Sequence, residues 1–263
     1  MRQFLQSAWE DLAKSLTDWR VWHLLAWQEI CQRYRRSTLG PFWLTASVGV
    51  QLIAIGVFGR LVFRFDLENY LAFLAVGLVF WSFWTSAITE GSNCFINAAS
   101  MIVQIKRPFT SYLIQVLWKN IIILAHTSLV FVVVFTLYDV APTKHLLWLP
   151  VTLTLLIINT VWPMLLLALL SVRYRDVPVM VQNMTSILFW TTPIFFRKEQ
   201  LGRHSYLLDF NPLTHLLEAM RKPLLGIPLS ELNWAVLIGM AIIGSGVTFL
   251  IFARYRTRVP YWL

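Results

Sequence analysis

Residues 146–172 read LLWLPVTLTLLIINTVWPMLLLALLSV and hold no charged side chain. A run of that kind decides the fold, because a helix needs about 20 consecutive apolar residues to cross the hydrocarbon core of a bilayer. A membrane β-strand would need only roughly 9–11 residues and would alternate apolar with polar positions. This run is longer and does not alternate. Stretches of similar length and composition lie on both sides of it, at 37–63, 70–89, 111–138, 177–196 and 232–253. The expectation is an all-α integral membrane protein with six transmembrane helices, formed by residues 1–263 as one domain.

The composition agrees. Of 263 residues, 57% are hydrophobic and 13% charged, where a soluble domain carries about 25% charged residues. Residues 1–36 include Glu10, Asp11, Asp18 and Glu29 and have no compact apolar core ending in small residues, so they are expected to remain in the chain rather than act as a secretory signal.

Six spans put both ends on one side. The N-terminal segment, the loop at Lys106–Arg107, the turn 173–176 and the tail after Ala253 hold 13 Lys and Arg, against 8 on the opposite side, among them Arg60 and Arg64. The positive-inside rule then makes both termini cytoplasmic. The net charge of +9 is explained by membrane orientation and anionic headgroups; no nucleic-acid-binding module is present. Cys31 and Cys94 are too far apart in sequence, and on the wrong side, to suggest a disulfide framework.

Between the spans the sequence carries further elements. Residues 18–36 form an expected interfacial helix, with Trp19, Trp27, Ile30 and Tyr34 on one arc and Gln28, Glu29, Gln32, Arg35 and Arg36 on the other. Aromatic rings and a basic face suit the headgroup layer. Residues 90–109 include a short helix that Pro108 helps to end. Residues 197–231 contain two short helices expected to dip partway into the membrane, with Asn211-Pro212 as a start signal and Gly226 as a stop.

Catalytic signatures are absent. There is no G-x-x-x-x-G-K-[ST], G-x-S-x-G or H-E-x-x-H, and His23, His126, His145, His204 and His215 are scattered, so no metal site is expected. Two charges intrude on apolar regions, Glu90 and Lys119; both are placed near the cytoplasmic interface, where Lys119 can snorkel. Aromatic residues concentrate at Phe80, Trp81, Phe83 and Trp84, and again at Phe189, Trp190, Phe195 and Phe196. Such rings can stack on the apolar faces of sugars.

These landmarks together resemble a known family. RYRRSTLGPFW (33–43), FLAVGLVFWSFW (73–84), NAASMIVQIKRPF (97–109), LLSVRYRDV (169–177), TTPIFF (191–196) and NPLTHLLEAMR (211–221) are similar, in the same order, to the membrane subunits of type 2 ABC exporters for polysaccharides. The loop ending IKRPF departs from the many members that carry an aromatic residue before Pro or an arginine after it. The resemblance implies a homodimer bound by two copies of a cytoplasmic ATPase, exporting a lipid-linked O-antigen, capsular or teichoic-acid-like polymer across a bacterial inner membrane. ATP and Mg would sit on that partner, with no cofactor on this chain.

It also implies site residues. Arg33, Arg35, Arg36, Leu39 and Gly40 would form the entrance for a lipid-diphosphate headgroup. Trp43, Trp81, Trp84, Phe189, Trp190, Phe195 and Phe196 would line the glycan channel, formed by spans one, two and five. Asn97, Met101, Gln104, Lys106 and Arg107 would receive the ATPase's motion. Two other functions compete: an exporter of drugs or small lipids with the same fold, and a membrane enzyme acting on polyprenyl-phosphate sugars, for which Glu29, Glu90 and Asp176 are too scattered in sequence.

Overall fold

The computed structural model of the chain describes residues 2–63 and 67–263; Arg64, counted above among the outer-side charges, lies outside the described residues. Helices α1 (Arg2–Thr17) and α2 (Trp19–Tyr34) precede α3 (Phe42–Phe63) and α4 (Leu67–Ser92). Two short helices, α5 (Cys94–Asn97) and α6 (Ala99–Gln104), lead into α7 (Phe109–Thr127) and α8 (Leu129–Leu137). The chain continues through α9 (Leu149–Arg173), α10 (Val177–Thr191), α11 (Pro212–Leu224), α12 (Glu231–Tyr255) and α13 (Val259–Trp262). No strand occurs among the described residues.

Among the described residues five stretches are long and apolar enough to cross a membrane: Phe42–Leu61, Tyr70–Ser92, Phe109–Leu137, Lys144–Arg173 and Glu231–Trp262. The remaining expected span, 177–196, behaves differently. Its helix α10 stops at Thr191 after 15 residues, about 22 Å of rise against a core of about 30 Å. Residues 192–196 then bend, and Lys198–Phe210 forms a 3-10 segment broken at Gly202. The region expected to hold two short α-helices therefore holds this segment and one α-helix, α11. The start and stop signals are correctly placed: the Asn211 side chain accepts from the Leu213 amide at 3.0 Å, and Gly226 has φ +73°.

α4 is the central helix. It packs against α3, α7, α9, α10 and α11, and 67% of its span window is buried, against 22% for α3 and 17% for α12. Its small residues Ala72, Ala75 and Ala87 are buried and let neighbouring backbones approach, as membrane helix packing favours. α12 lies against α9, where the buried Asn159 donates to the Leu237 carbonyl at 3.0 Å. A single amide thus supplies a polar bond between two apolar surfaces.

The first helix, α1, lies before the expected interfacial helix and serves α7. The buried Asp11 carboxylate accepts from the backbone N–H groups of Phe109 and Thr110, each at 3.0 Å, and from the Thr110 hydroxyl at 2.7 Å. Those amides open α7 and have no partner within the helix, so Asp11 caps it from 98 residues away. Arg256, beyond α12, donates to the Ser7 carbonyl and lies 3.8 Å from Asp11. The ends of the chain and the start of α7 therefore share one end of the molecule. Asp11→Ala should lower the stability of the purified protein by about 2 kcal/mol, and Asp11→Asn by less; an unchanged thermal midpoint in Asp11→Ala would remove the capping role.

Gly40 joins α2 to α3. Its φ of +55° lies in the left-handed region, and its amide donates to the Ser37 hydroxyl at 3.0 Å. Glycine adopts this conformation without the steric cost met by other residues. The chain turns here from the N-terminal helices into α3.

Candidate functional site

At the end of the molecule that holds the chain termini, α2, α4 and α7 meet in a charged cluster. Lys119 of α7 is only 7% exposed, and its ammonium lies 2.8 Å from Glu29 of α2 and 3.0 Å from Glu90 of α4. Arg33 of α2 reaches the other oxygen of Glu90 at 3.2 Å, and the Asn120 amide donates to Glu90 at 3.0 Å. Gln115 donates to Glu29 and accepts from Arg107 at 3.2 Å. Side chains from the loop before α7, from α2 and from the central helix α4 are thereby joined in one chain of hydrogen bonds. Burial tends to lower the Arg33 guanidinium, but the bond and charge of Glu90 outweigh it and hold Arg33 above its ordinary value.

Two expectations change here. Lys119 does not snorkel to water; it is buried between two carboxylates, because an ammonium at that depth needs counter-charge. Glu29 and Glu90, distant in sequence, meet on that one nitrogen. The predicted division of α2 also shifts: Glu29 turns toward α7, while Trp19 and Trp27 are exposed. What packs on α7 is Trp22, against Trp118 at 5.7 Å, and His23, which accepts from the Trp118 indole at 2.8 Å. Helical spacing alone could not reveal this, because the polar groups facing α7 are matched by polar groups on α7.

The other two arginines of the expected entrance differ from Arg33. Arg35 and Arg36 are exposed and meet no carboxylate among the described residues. Leu39 is 50% exposed beside the Gly40 turn. Of the residues expected to contact an ATPase, Asn97, Met101, Gln104 and Lys106 are exposed, and Val103 and Ile105 join them on the surface of α6 and its end. Arg107 turns inward instead, its guanidinium 4.7 Å from the Tyr112 ring and bonded to Gln115.

Six of the seven expected channel aromatics come together. Trp81 meets Trp84 and Phe189, each at 5.6 Å between ring centroids. Phe189 meets Trp190 at 5.5 Å and Phe195 at 5.8 Å, and Phe195 meets Phe196 at 5.3 Å. Trp84 is buried, whereas Trp190 is 67% exposed. Trp43 is separate, lying on α3 in an exposed line with Ser47 and Gln51 at four-residue spacing. α10 carries a second such line: Gln182, Asn183 and Ser186 are exposed on the face that ends at Trp190. Exposed amides on crossing helices are costly in hydrocarbon. These polar positions were legible in the sequence as uncharged Gln, Asn and Ser inside apolar runs, yet only charged residues drew attention there.

The backbone bends over residues 192–196 after α10, and side chains satisfy it. Asn211 donates to the Thr191 carbonyl at 3.2 Å and Tyr70 to that of Phe195 at 2.8 Å. Arg221, 5% exposed, donates to the carbonyls of Pro193 at 2.7 Å and Ile194 at 3.0 Å. Its guanidinium carbon lies 3.6 Å from the centroid of the Phe73 ring. A cation at a helix C-terminus also meets the negative end of the helix dipole. All this sits at Gly77 of α4, where an added Cβ would lie 2.5 Å from the Arg221 Nη2 and 2.7 Å from the Ile194 oxygen. Gly77 is about 15 Å along α4 from its first residue, so the break in α10 lies well inside the length of the bundle.

Among the described residues no group of three or more His, Cys, Asp or Glu is gathered as metal ligands would be. Burial raises the Cys94 thiol well above its ordinary value, which leaves it a packing residue rather than a nucleophile.

The model of the ABC-2 type transporter family matches residues 20–225. The chain is 22% identical over 196 residues to the O-antigen export system permease protein RfbA of Myxococcus xanthus, covering 73% of this chain and 75% of that protein. It is 24% identical over 229 residues to the protein of the same name from Klebsiella pneumoniae, covering 86% and 88%.

Proposed function

The chain belongs to the ABC-2 type transporter family of membrane proteins, and from that premise we propose that it is the channel-forming membrane subunit of an ATP-driven exporter of lipid-linked polysaccharide. The named relatives favour an O-antigen as the polymer. Two copies of the chain enclose the path, two copies of a separate cytoplasmic ATPase drive it, and both termini face the cytoplasm of a bacterial inner membrane. The chain itself is not an enzyme.

The observation that carries this reading is the pair of exposed polar lines, Trp43–Ser47–Gln51 on α3 and Gln182–Asn183–Ser186 with Trp190 on α10. Lipid suits neither. A second copy facing them across a water-filled path would, and a sugar chain meets hydroxyl, amide and aromatic groups there without a charge to hold it. α10 and the bent segment after it form the sixth crossing. The non-helical backbone at 192–196 is tolerated at that depth because it is covered by α11, which dips into the membrane as a re-entrant helix.

At the cytoplasmic end, the phosphates of the carrier lipid meet Arg35 and Arg36, whose guanidinium forks suit phosphate oxygens. Arg33, held by Glu90, fixes the helix that carries them. The exposed end of α6, with Met101, Gln104 and Lys106, receives the ATPase, and Arg107 passes its displacement through Gln115 and Glu29 to α2. Replacing Arg35 and Arg36 together with glutamine should reduce surface polysaccharide at least about tenfold, as expected for the loss of charge-assisted bonds, while leaving the amount of ATPase that co-purifies unchanged. Normal surface polysaccharide in that variant would end the headgroup role. An exporter of drugs would be identified by the reverse outcome, normal polysaccharide in cells lacking the chain.

A further inference from the structure

We propose that the ends of α9 and α12 hold an anionic phospholipid of the bilayer, with its phosphate at Arg173, Arg254 and Arg258 and its acyl chains in two grooves that share Tyr255. The inference rests only on the chain crossing a bilayer and is independent of the polymer exported.

The two helices run in the same direction and end close to one level. Trp148, just before α9, meets Trp234 of α12 at 5.5 Å, and further along Leu169 and Ile251 line one groove. Asn159 is bonded to the Leu237 carbonyl. From that bond Arg173 is about 21 Å along α9 and Arg254 about 26 Å along α12. The same level carries Tyr174, Tyr255 and Trp262, residue types that favour the headgroup layer.

These rings gather the cations. The guanidinium carbons of Arg254 and Arg258 lie 5.9 and 5.8 Å from the Tyr255 centroid. That of Arg173 lies 5.4 Å from the centroids of both Tyr174 and Trp262, and Trp262 is 6.0 Å from Tyr255. All three arginines are exposed, and none pairs with a carboxylate among the described residues. Arg256, which lies between two of them in sequence, is instead turned toward Asp11. Like charges held this near one another favour an anion among them.

Apolar space adjoins the charge on both sides of α12. One groove, of about 540 Å³, has Phe4, Leu5 and Leu250 in its lining together with Arg254 and Arg258. The other, of about 530 Å³, is lined by Leu166, Leu169 and Leu170 with Arg173. Ile251 and Tyr255 belong to both, so the grooves are neighbours, and neither lining contains an acidic residue. Aliphatic walls beside unpaired guanidinium groups match a lipid, whose chains fill the grooves while its phosphate accepts from arginine. A free phosphate would leave the walls uncovered. A soluble protein would not reach them, because they belong to the crossing stretches Lys144–Arg173 and Glu231–Trp262.

The test uses the full chain, purified without ATPase or polymer, in micelles offered equal amounts of phosphatidylglycerol and phosphatidylcholine. Native mass spectrometry then counts the lipids each chain retains. The wild type should retain phosphatidylglycerol in preference. Arg254→Gln/Arg258→Gln should weaken that retention about fivefold for each arginine removed, as expected for basic side chains at an anionic headgroup. Charge alone would attract anionic lipid without seating it, so a second variant keeps the charge and fills both grooves. Leu170→Trp/Leu250→Trp does this at positions 38% and 51% exposed, where added bulk does not disturb the core, and it should lose the preference. Equal retention of the two lipids by the wild type, or full preference in either variant, overturns the proposal. So does a thermal midpoint raised by inorganic phosphate over chloride at equal ionic strength but not by phosphatidylglycerol, which would identify a free anion. A change of oligomeric state in the tryptophan variant would instead place a second copy in the grooves and overturn it as well. Surface polysaccharide is read separately, so failure here leaves the export function standing.

Discussion

Arg221→Ala should destabilise the protein by about 4 kcal/mol, the largest effect expected from a single side chain here. It removes two charge-assisted hydrogen bonds, worth roughly 1.5–3 kcal/mol each, and a desolvated contact with an aromatic face worth about 2 kcal/mol; the terms overlap, so they do not simply add. The carbonyls of Pro193 and Ile194 would be left unpaired at a depth where water is scarce. Arg221→Lys should recover less than half, because one ammonium cannot span both carbonyls in the geometry of a guanidinium fork. Gly77→Ala should act in the same direction, since its Cβ would fall on the Arg221 Nη2 and the Ile194 oxygen. The measurement is the unfolding midpoint of each purified variant in one detergent. If Arg221→Ala melts with the wild type, the broken end of α10 is held by something else.

Lys119→Met should cost about 2 kcal/mol. Removing one partner of a buried ion pair costs roughly 3–5 kcal/mol, and the figure is reduced here because Glu29 and Glu90 keep 39% and 27% of their side-chain surface exposed. The loss arises from two carboxylates left facing each other, so neutralising one of them should help. The double variant Lys119→Met/Glu90→Gln is expected to be more stable than Lys119→Met alone, a sign that isolated packing loss would not produce. Equal stability of the single and double variants would show that the cluster acts through volume and not charge.

Much of the architecture was legible before any coordinates. Uncharged runs reported the crossing helices, because a bilayer imposes one length and one polarity on them. Asn211 and Gly226 were legible for a local reason, since each sets a backbone angle or a cap within its own few residues. The stretch 177–196 was read as a full crossing helix because it is uncharged throughout, and hydropathy does not register that Pro193 and the bulky Phe195 and Phe196 follow a helix that has already stopped. What permits the break is Arg221, 30 residues after Thr191 in the chain, and no local pattern links the two.

The candidate site divides in the same way. The aromatic residues were legible as clusters, and six of seven do meet, because rings concentrated near the ends of two neighbouring helices have few other ways to pack. The charged cluster was not. Glu29, Glu90 and Lys119 each look misplaced on their own element, and only the packing of α2, α4 and α7 turns three anomalies into one site. α1 was missed for a related reason: its function is one carboxylate, Asp11, directed at amides of a helix far along the chain.

The central claim is that this chain carries lipid-linked polysaccharide across the inner membrane. Its most direct test is to remove the chain from its own cells and to measure the polymer on both sides of that membrane. The account predicts lipid-linked polysaccharide accumulating on the cytoplasmic side with none reaching the surface, restored by the wild-type chain and not by the variant lacking Arg35 and Arg36. Polysaccharide at the surface in normal amount without the chain would contradict it.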